Sequence, residues 1–459
     1  MVTPSSVTPP ESQRRVWRVG TLTYTVGGLV VLFSWLLWGD FAWQMKERAT
    51  QPVVQVMLKK YGASEFLNGF LVLALPAVIA VLLGPVISYR SDRHRGRWGR
   101  RIPFLVLTVP LTVLPMFGMA FSPQIGTWVH GWLGLAPESL NFSIILTLGL
   151  SWAVLDVATV AALTLFGSLV NDVVPRELIG RFYGLFRVVS LLAGIVFGNY
   201  VIGHAGNHFT LILGGAGVLF GIGIIMMCCF VKEGEYPPPP APAPDEQRGV
   251  VAAVKLYWRT CFSKSYYRWV FVSMAMAQVA FAPVNLISVH AATSFGLSLD
   301  VYGKYLAGTF VCSLLLAYPL GWLADRFHPT RIGLVALGLY TVLMVAGYFG
   351  IVGPKSFGVV FLVHGVLSGC YFTGAASLAQ VLMPKMKFAV YYSAYVLLWA
   401  VGNCVVGLGF GELLDRLDHD YRFAFSVGGL IAALAFWTGY VVYRRFMALG
   451  GPKGYTAPE

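Results

Sequence analysis

Long apolar runs alternate with short polar segments along almost the whole chain. Twelve of them are roughly twenty residues or longer, enough to cross a hydrocarbon core of about 30 Å as an α-helix. The alternation typical of membrane β-strands is absent. The pattern predicts an all-α polytopic membrane protein with transmembrane helices at about 20–43, 64–89, 102–122, 141–168, 182–203, 209–231, 266–291, 302–323, 332–352, 357–383, 389–411 and 421–443.

A polar insertion divides the twelve segments into two sets of six. Its centre, YPPPPAPAPDEQRG at 236–249, is of the composition that forms extended spacers, although a ligand role for the prolines is the alternative. The sequence therefore predicts two six-helix bundles joined by a cytoplasmic linker and flanked by cytoplasmic tails. The predicted parts are a tail at 1–19, bundles at 20–231 and 266–447, a linker at 232–265 and a tail at 448–459.

The composition supports a membrane protein, and this class changes how the net positive charge is interpreted. Hydrophobic residues make up 57% of the 459 residues, charged residues 12%, and the mean hydropathy is +0.70. A net charge of +13 would suggest nucleic-acid binding in a soluble domain, but most basic residues lie in the tails and in loops on one side of the predicted spans. The positive-inside rule makes that side cytoplasmic. We expect a protein of the plasma membrane (a cell inner membrane) with both termini cytoplasmic, in contact with lipid and not with nucleic acid.

Other kinds of site find little support in the sequence. The six cysteines lie mostly in apolar runs without CxxC spacing, which predicts neither disulfides nor a metal site. His204 and His208 are four residues apart but have no third ligand nearby. No nucleophile and base are paired, so we expect no enzyme activity and no cofactor.

The most basic stretch of the chain, SYRSDRHRGRWGRR at 88–101, follows the second apolar segment and holds six arginines. A related pattern, GWLADRFHPTR, begins at Gly321 after the eighth segment. Asp92-Arg93 and Asp325-Arg326 thus occupy equivalent loops of the two halves. This recurrence indicates an internal duplication.

The twelve helices, the 6+6 division and this loop motif resemble the major facilitator superfamily of secondary transporters over essentially the whole chain. The first copy is similar to that of the glycoside-pentoside-hexuronide:cation symporters and the related sucrose:proton symporters. The resemblance implies a gating motif of Asp92, Arg93, Arg97, Gly99, Arg100 and Arg101 in the first copy, and of Gly321, Asp325, Arg326 and Arg331 in the second. We expect Asp92 and nearby arginines to tie helix ends together across the cytoplasmic side in the outward-facing state, and to separate when the carrier opens inward.

Three short motifs are similar to the melibiose-permease branch of that group. WGDFAW places Asp40 where the first helix has a sugar-binding aspartate, and WAVLDVA places Asp156, with Trp152 one turn earlier, where the fourth helix has another. FRVVS places Arg187 where the fifth helix has an arginine. Sodium-coupled members also carry two acids on the second helix, where this chain has Ala80 and Gly84. The difference favours H+ over Na+ as the coupling ion, with uniport as the alternative.

Asp40, Asp156 and Arg187 are the charged residues that lie deep inside predicted spans. Burying such a charge costs about 2.5–3.5 kcal/mol on insertion scales, so each needs a partner or a watery cavity. Asp156 and Arg187 lie at similar depths, either as a static pair or as groups that bind sugar hydroxyls. Asp40 and Asp156 are the candidate proton-coupling groups, and Asp40 is favoured because Arg187 would hold Asp156 ionised.

Polar residues form a stripe along one face of the first helix. Its members recur every three or four residues if the helix continues past Trp43: Asp40, Gln44, Glu47 (or Arg48), Gln51 and Gln55. Such a stripe should face a cavity. The alternative is a helix that ends near Met45, followed by an external amphipathic loop.

The second half carries only neutral polar and aromatic groups in its spans. Each can be a hydrogen-bonding group between helices, and as a set they can complete a sugar site: Gln278, Asn285, His364, Tyr371, Gln380, Trp399 and Asn403. His364 is either structural or part of a proton pathway.

Together these features predict a proton-coupled symporter that imports a sugar, such as a glycoside or a disaccharide, by alternating access and functions as a monomer. The candidate substrate-binding residues are Asp40, Gln44, Trp152, Asp156, Arg187, Asn285, Tyr371 and Trp399. An exporter of amphipathic compounds is the alternative within transport. A membrane sensor or scaffold that does not transport is the alternative of another class.

Overall fold

The computed structural model describes residues 16–236, 250–384 and 387–458, so most of the proline-rich stretch lies outside the described residues. Twelve helices in the described part are long and apolar enough to cross a membrane, as predicted. We number them as spans 1 to 12: Val26–Lys60, Glu65–Arg93, Ile102–Ala120, Pro137–Val173, Ile179–Tyr200, Ile202–Phe230, Ser265–Ser294, Leu299–Phe327, Pro329–Gly350, Pro354–Leu382, Val390–Arg416 and Phe423–Ala448.

The start of span 1 differs from the prediction. Two short antiparallel strands, β1 (Trp17–Val19) and β2 (Leu22–Tyr24), precede the helix, so residue 20 lies in a hairpin rather than in the first helix. Span 1 begins at Val26, where the Thr25 hydroxyl accepts the Gly28 N–H at 3.3 Å. A side-chain oxygen at this position satisfies a backbone donor that has no partner within the helix.

Three α-helices of the described residues lie outside the spans. Ser122–Trp132 joins spans 3 and 4, and Val250–Phe262 precedes span 7. The second of them occupies part of the predicted linker, which is therefore helical over its last third. A short helix, Gly451–Gly454, follows span 12.

Regular helix is interrupted in several spans, among them spans 2, 7, 10 and 11. Spans 2 and 11 each include a π-helical turn, Phe70–Ala74 and Val406–Phe410. Span 7 consists of Ser265–Val279 and Ala282–Ser294, and span 10 of Pro354–Gly374 and Leu378–Leu382. Pro283 near the start of the second piece of span 7 lacks the N–H that a continuous helix would use there.

The two halves pair their helices in the same way. Span 1 packs on spans 5 and 6, span 3 on 4 and 6, and span 2 on 4; in the second half span 7 packs on 11 and 12, span 9 on 10 and 12, and span 8 on 10. The structure thus confirms two six-helix bundles. The duplicated pairing agrees with the duplication that the two loop motifs indicate.

The bundles meet through spans 5 and 8 and through spans 2 and 11. We call the end of the molecule with Trp17, Phe230 and Ala448 the terminal face, and the end with Lys60 and Ser294 the distal face. In the distal half the backbones approach so closely that a Cβ on Gly69 would lie 1.8 Å from the Gly407 oxygen. The hydrogen bonds that join the bundles within the described ranges also lie in the distal half, so the distal face is closed.

Candidate substrate cavity

A cavity of about 370 Å³ lies between the two bundles. Spans 1 and 5 line it from the first half, and spans 7, 8 and 10 line it from the second. Its volume falls within the range of about 300–1,000 Å³ that is common for small-molecule sites. The lining mixes charged, amide, hydroxyl and aromatic groups, among them Glu47, Arg48, Gln51, Gln55, Arg187, Asn285, Ser288, Thr309, Phe310, Ser313, Phe361, His364, Ser368 and Phe372.

Span 1 continues to Lys60, so the alternative in which it ends near Met45 is wrong. Glu47, Arg48, Gln51 and Gln55 from the predicted stripe line the cavity. The other two members, Asp40 and Gln44, are not among its lining residues. Gln44 instead donates to Oδ1 of Asp40 at 3.1 Å and accepts from the Ser190 hydroxyl at 3.0 Å. The stripe therefore divides into a buried part and a part that faces the cavity.

Lys46 is a functional candidate that the sequence analysis missed. Its side chain is 1% exposed, and its ammonium group contacts the Glu47 carboxylate and donates to the Thr159 hydroxyl at 3.0 Å. Lys46 lies beyond the predicted end of the first span at residue 43 and is not a member of the predicted polar stripe. Continuing the helical period past Met45 would have turned Lys46 toward the interior, about 100° from Glu47.

Asp156 lies beside this group rather than beside Arg187. Thr159, which accepts from Lys46, is one turn after Asp156 on span 4. Asp156 and Arg187 form no ion pair within the described ranges. The static pair that would lock spans 4 and 5 is therefore wrong. Burial leaves Oδ2 of Asp156 without a hydrogen-bond partner, and Oδ2 of Asp40 likewise.

The cavity presents two guanidinium groups. Arg187 is exposed and lines the cavity, as its predicted role requires. Arg48 stacks over the Phe310 ring at 4.4 Å and donates to the Ser190 hydroxyl at 3.4 Å. Its Nε is buried without a partner. Each guanidinium group thus keeps donors that no carboxylate of the described residues occupies.

Of the neutral substrate-binding candidates, Asn285 lines the cavity, whereas Gln44, Trp152, Tyr371 and Trp399 do not. Oδ1 of Asn285 lies 3.1 Å from Nε2 of His364, whose Nδ1 lies 2.9 Å from the Tyr340 hydroxyl. Tyr371 lines a separate pocket of about 110 Å³ toward the terminal side of span 10. Trp399 packs at the edge of the apolar core of the second bundle. Trp152 is buried and donates its indole N–H to the Leu71 carbonyl oxygen at 2.8 Å.

The comparison with known families agrees with this architecture. The family model described as Major Facilitator Superfamily matches residues 40–407. The chain belongs to the Major Facilitator Superfamily. This superfamily protein is an integral membrane transporter of a small-molecule substrate.

Solved structures of several transporters share the fold at low sequence identity. The nucleoside transporter NupG is 11% identical, with a TM-score of 0.67 over 90% of this chain and 100% of that chain. A bacterial homolog of the human lysosomal transporter Spinster, in an inward-facing and unoccupied conformation, is 13% identical, with a TM-score of 0.67 over 94% and 99%. The D-xylose-proton symporter is 15% identical, with a TM-score of 0.59 over 90% and 96%. Their different substrates limit what this likeness shows to the fold.

The arginine-rich loop of this superfamily member ties together helix ends of the first bundle. Arg101 contacts the Asp92 carboxylate, and Asp172 at the end of span 4 accepts from Arg100 at 2.5 and 2.9 Å and from Arg101 at 3.3 Å. Arg93 stacks over Tyr89 at 4.4 Å, and Arg97 is exposed. The sequence analysis missed Asp172, which lies in a polar stretch far from the motif.

Glu233 completes this loop from beyond span 6. Its carboxylate accepts the backbone N–H groups of Arg100, Arg101 and Ile102 at 2.7 to 2.9 Å, which are the free donors at the start of span 3. Gly99 has a φ of +94°, and a Cβ there would lie 2.5 Å from the Glu233 carboxyl carbon. The glycine of the motif is therefore required by the backbone and by its neighbour.

The second copy of the motif has a different arrangement. Asp325 is exposed and forms no ion pair among the described residues, whereas Arg326 stacks over Trp322 at 5.1 Å and Arg331 donates to the Tyr443 hydroxyl at 3.1 Å. Gly321 has open space around it. The two copies are equivalent in position but not in contacts.

These contacts bear on the expectation that Asp92 ties helix ends together across the cytoplasmic side in the outward-facing state and separates from its arginines when the carrier opens inward. Among the described residues, Asp92 contacts Arg101 and lies 4.0 Å from Arg100 while the closed face is the distal one. Both arginines belong to the first bundle. Separation of this contact in another state stays a prediction.

Proposed function

We propose that this transporter is a proton-coupled symporter of a sugar or glycoside, as in the glycoside-pentoside-hexuronide and sucrose symporter group. The observation that carries the proposal is the lining of the cavity. Amides and hydroxyls from both bundles, such as Gln51, Asn285 and Thr309, stand beside aromatic rings such as Phe310 and Phe361. Directional hydrogen bonds to hydroxyl groups together with apolar ring faces suit a sugar. The cavity guanidinium groups, Arg48 and Arg187, add donors for ring or glycosidic oxygens.

Orientation in the membrane follows from charge. The basic loops and tails lie at the terminal face, so the positive-inside rule places that face in the cytoplasm. With the distal face closed and Arg187 exposed, the cavity is then reached from the cytoplasm. The structure corresponds to the inward-facing state of alternating access, in which a bound sugar would be released into the cell.

Proton coupling is supported by the buried carboxyl groups. A carboxyl group without a partner for one buried oxygen is less costly to bury when it is protonated and neutral. Thr159, one turn after Asp156, is joined to the cavity residue Glu47 through Lys46. Asp40 is joined to the cavity residue Arg48 through Gln44 and Ser190. Both remain candidate proton carriers, and H+ remains the proposed coupling ion in place of Na+.

Proteoliposomes that contain a pH-sensitive dye test this function. We expect an outside pulse of the transported mono- or disaccharide to acidify the lumen, without Na+ and at rates that rise with an inward proton gradient. Sugar uptake that depends on Na+ and moves no protons would contradict the coupling ion. Transport of lipophilic cations with no response to any sugar would favour the exporter.

Matched variants locate the binding groups. Asn285→Ala removes a cavity amide, so sugar affinity should fall about tenfold, the size expected for losing a good hydrogen bond. Trp399→Phe alters a residue outside the cavity and should leave affinity unchanged. For the carboxyl groups, a variant among Asp40→Asn and Asp156→Asn that loses proton-driven uptake but keeps sugar counterflow identifies the proton carrier. Loss of both activities would make that residue a binding group instead.

A further inference from the structure

Glu65 and His290 form a buried contact between the two bundles at the distal face. Glu65 is the first residue of span 2 and His290 lies near the end of span 7, and their side chains are 4% and 2% exposed. Nδ1 of His290 lies 2.6 Å from Oε1 of Glu65. Neither residue lines the substrate cavity, and the function proposed above does not use them.

The other ring nitrogen decides how many protons the contact holds. Nε2 of His290 lies 2.8 Å from the main-chain oxygen of Gln55, and a carbonyl oxygen can only accept. Nε2 must therefore carry a hydrogen. The contact with Glu65 then needs a second hydrogen, either on Nδ1 of a charged imidazole or on the carboxyl group. In both cases the pair holds one proton more than a neutral histidine beside a carboxylate.

Loss of that proton cannot be repaired by a change of tautomer. With the hydrogen on Nε2, the lone pair of Nδ1 would face the carboxylate at 2.6 Å. With the hydrogen on Nδ1, the lone pair of Nε2 would face the Gln55 carbonyl at 2.8 Å. Each arrangement places two acceptors in contact in a site without water exposure, which is unfavourable.

Two neighbouring side chains donate hydrogen bonds to the Glu65 carboxyl group, and neither of them is a base. Tyr421 donates to Oε1 of Glu65 at 2.8 Å, and Asn68 donates to Oε2 at 3.0 Å. The other charged or titratable groups packed here bind main chain or each other: Lys59 donates to the His290 and Thr293 oxygens, Asp415 accepts the Glu65 and Phe66 N–H groups, and His419 lies 3.7 Å from Asp415.

The bonds of His290 to Glu65 and Gln55, and of Tyr421 to Glu65, cross between bundles, so they exist only when the distal face is closed. We propose that Glu65 and His290 form a proton-binding site that is assembled by closure of the distal face, so that closure takes up one proton from the distal side. The site is separate from the proposed substrate cavity. The proposal depends on neither the substrate nor the coupling ion.

The sign of the pH effect follows from the proton count. In the open form both side chains meet water, and the contacts that need the additional proton are absent. Wherever the open form has released that proton, the closed form binds one proton more than the open form. The ratio of closed to open molecules should fall as the pH rises, by up to about tenfold per pH unit.

Spin labels on the distal loops measure this ratio in the full-length protein. Trp132→Cys and Val352→Cys are 75% and 90% exposed, one on each bundle, and are labelled in a background whose six native cysteines are replaced by serine or alanine. Distance distributions between pH 5.5 and pH 8.5 in nanodiscs give the closed and open populations. We expect the short-distance, closed population to dominate at pH 5.5 and the long-distance population to grow toward pH 8.5.

Two substitutions test the pair itself. In Glu65→Gln the side-chain amide donates to Nδ1 without the additional proton, so the closed population should become independent of pH. His290→Gln should also remove the pH dependence, and it serves as the second variant if Glu65→Gln does not fold.

Two controls show whether the change of the closed population with pH, which we call the slope, comes from Glu65 and His290. Tyr421→Phe removes a hydrogen bond to the same carboxyl oxygen, so it should lower the closed population at every pH and keep the slope. His419→Gln removes the neighbouring histidine and should also keep the slope. The proposal would be overturned if the closed population did not change with pH in the labelled protein that keeps Glu65 and His290. The same holds for a slope that survives Glu65→Gln or His290→Gln, or that disappears in His419→Gln.

Discussion

At the scale of the residue, Trp152 serves helix packing. Its indole N–H reaches the Leu71 carbonyl inside the π-helical turn Phe70–Ala74 of span 2. A π-helical turn changes the usual pairing of backbone groups and leaves a carbonyl that needs a partner. Within the membrane core, where water cannot satisfy that oxygen, a side chain from the neighbouring span does so.

We expect Trp152→Phe to keep the ring but leave the Leu71 carbonyl unsatisfied. The loss should destabilise the protein by about 1–3 kcal/mol, the cost of a buried polar group without a partner. Thermal unfolding in detergent should therefore begin at a lower temperature. Sugar affinity, measured at a temperature below the onset of unfolding, should stay unchanged. A loss of affinity with unchanged unfolding would instead restore Trp152 to the binding site.

Gly99 and Gly321 offer a second comparison between single residues. They occupy the glycine positions of the two loop motifs, but only Gly99 has a positive φ and a close neighbour, Glu233. Gly99→Ala should destabilise the first bundle by about 1–2 kcal/mol, the cost of a left-handed conformation for a residue with a Cβ. Gly321→Ala should be neutral or slightly stabilising, because this helical position has open space. Equal thermal shifts for both variants would refute this difference.

At the scale of the element, spans 2 and 11 cross where both depart from regular helix. Gly69 precedes the π-helical turn of span 2, and Gly407 lies within that of span 11. Each glycine faces the backbone of the other helix, so no side chain separates the two spans. Close backbone contact of this kind is typical of small residues between membrane helices.

We expect Gly407→Ala to push span 11 away from span 2 and so favour opening of the distal face. A Cβ at this position would lie 2.5 Å from the Gly69 oxygen, whereas Gly409 in the same turn has nothing within 4 Å. Gly409→Ala is thus the matched control. The distal distance between labels at Trp132→Cys and Val352→Cys should lengthen in Gly407→Ala alone. Identical distances in both variants would show that the crossing tolerates a methyl group.

At the scale of the whole molecule, the closed distal face and the basic terminal face make a single prediction about topology. If the terminal face is cytoplasmic, Val352→Cys should react with a membrane-impermeant maleimide in intact cells. Ser263→Cys, which is exposed on the loop before span 7, should react only after permeabilisation. Reaction of both sites in intact cells, or the reverse order, would contradict the proposed orientation.

The sequence by itself determined the spans, their division into two halves and the equivalent positions of the loop motifs. The length of the apolar runs and the distribution of charge decide these features, because the free energy of placing a residue in the bilayer depends mainly on that residue's own polarity. The same reasoning identified Asp40 and Asp156 as buried charges and Arg187 as a charge within a span. It failed at Lys46, where a run of charges resembled a loop although the helix continues.

Only the tertiary structure decided which of these groups meet. Asp156 lies beside Lys46 and Glu47, Arg187 lines the cavity, and Glu65 meets His290 across the two bundles. Glu65 and His290 are more than two hundred residues apart, and each looks ordinary at the end of its own helix. Such contacts depend on how twelve helices rotate and cross, and a one-dimensional pattern of polarity does not record that arrangement.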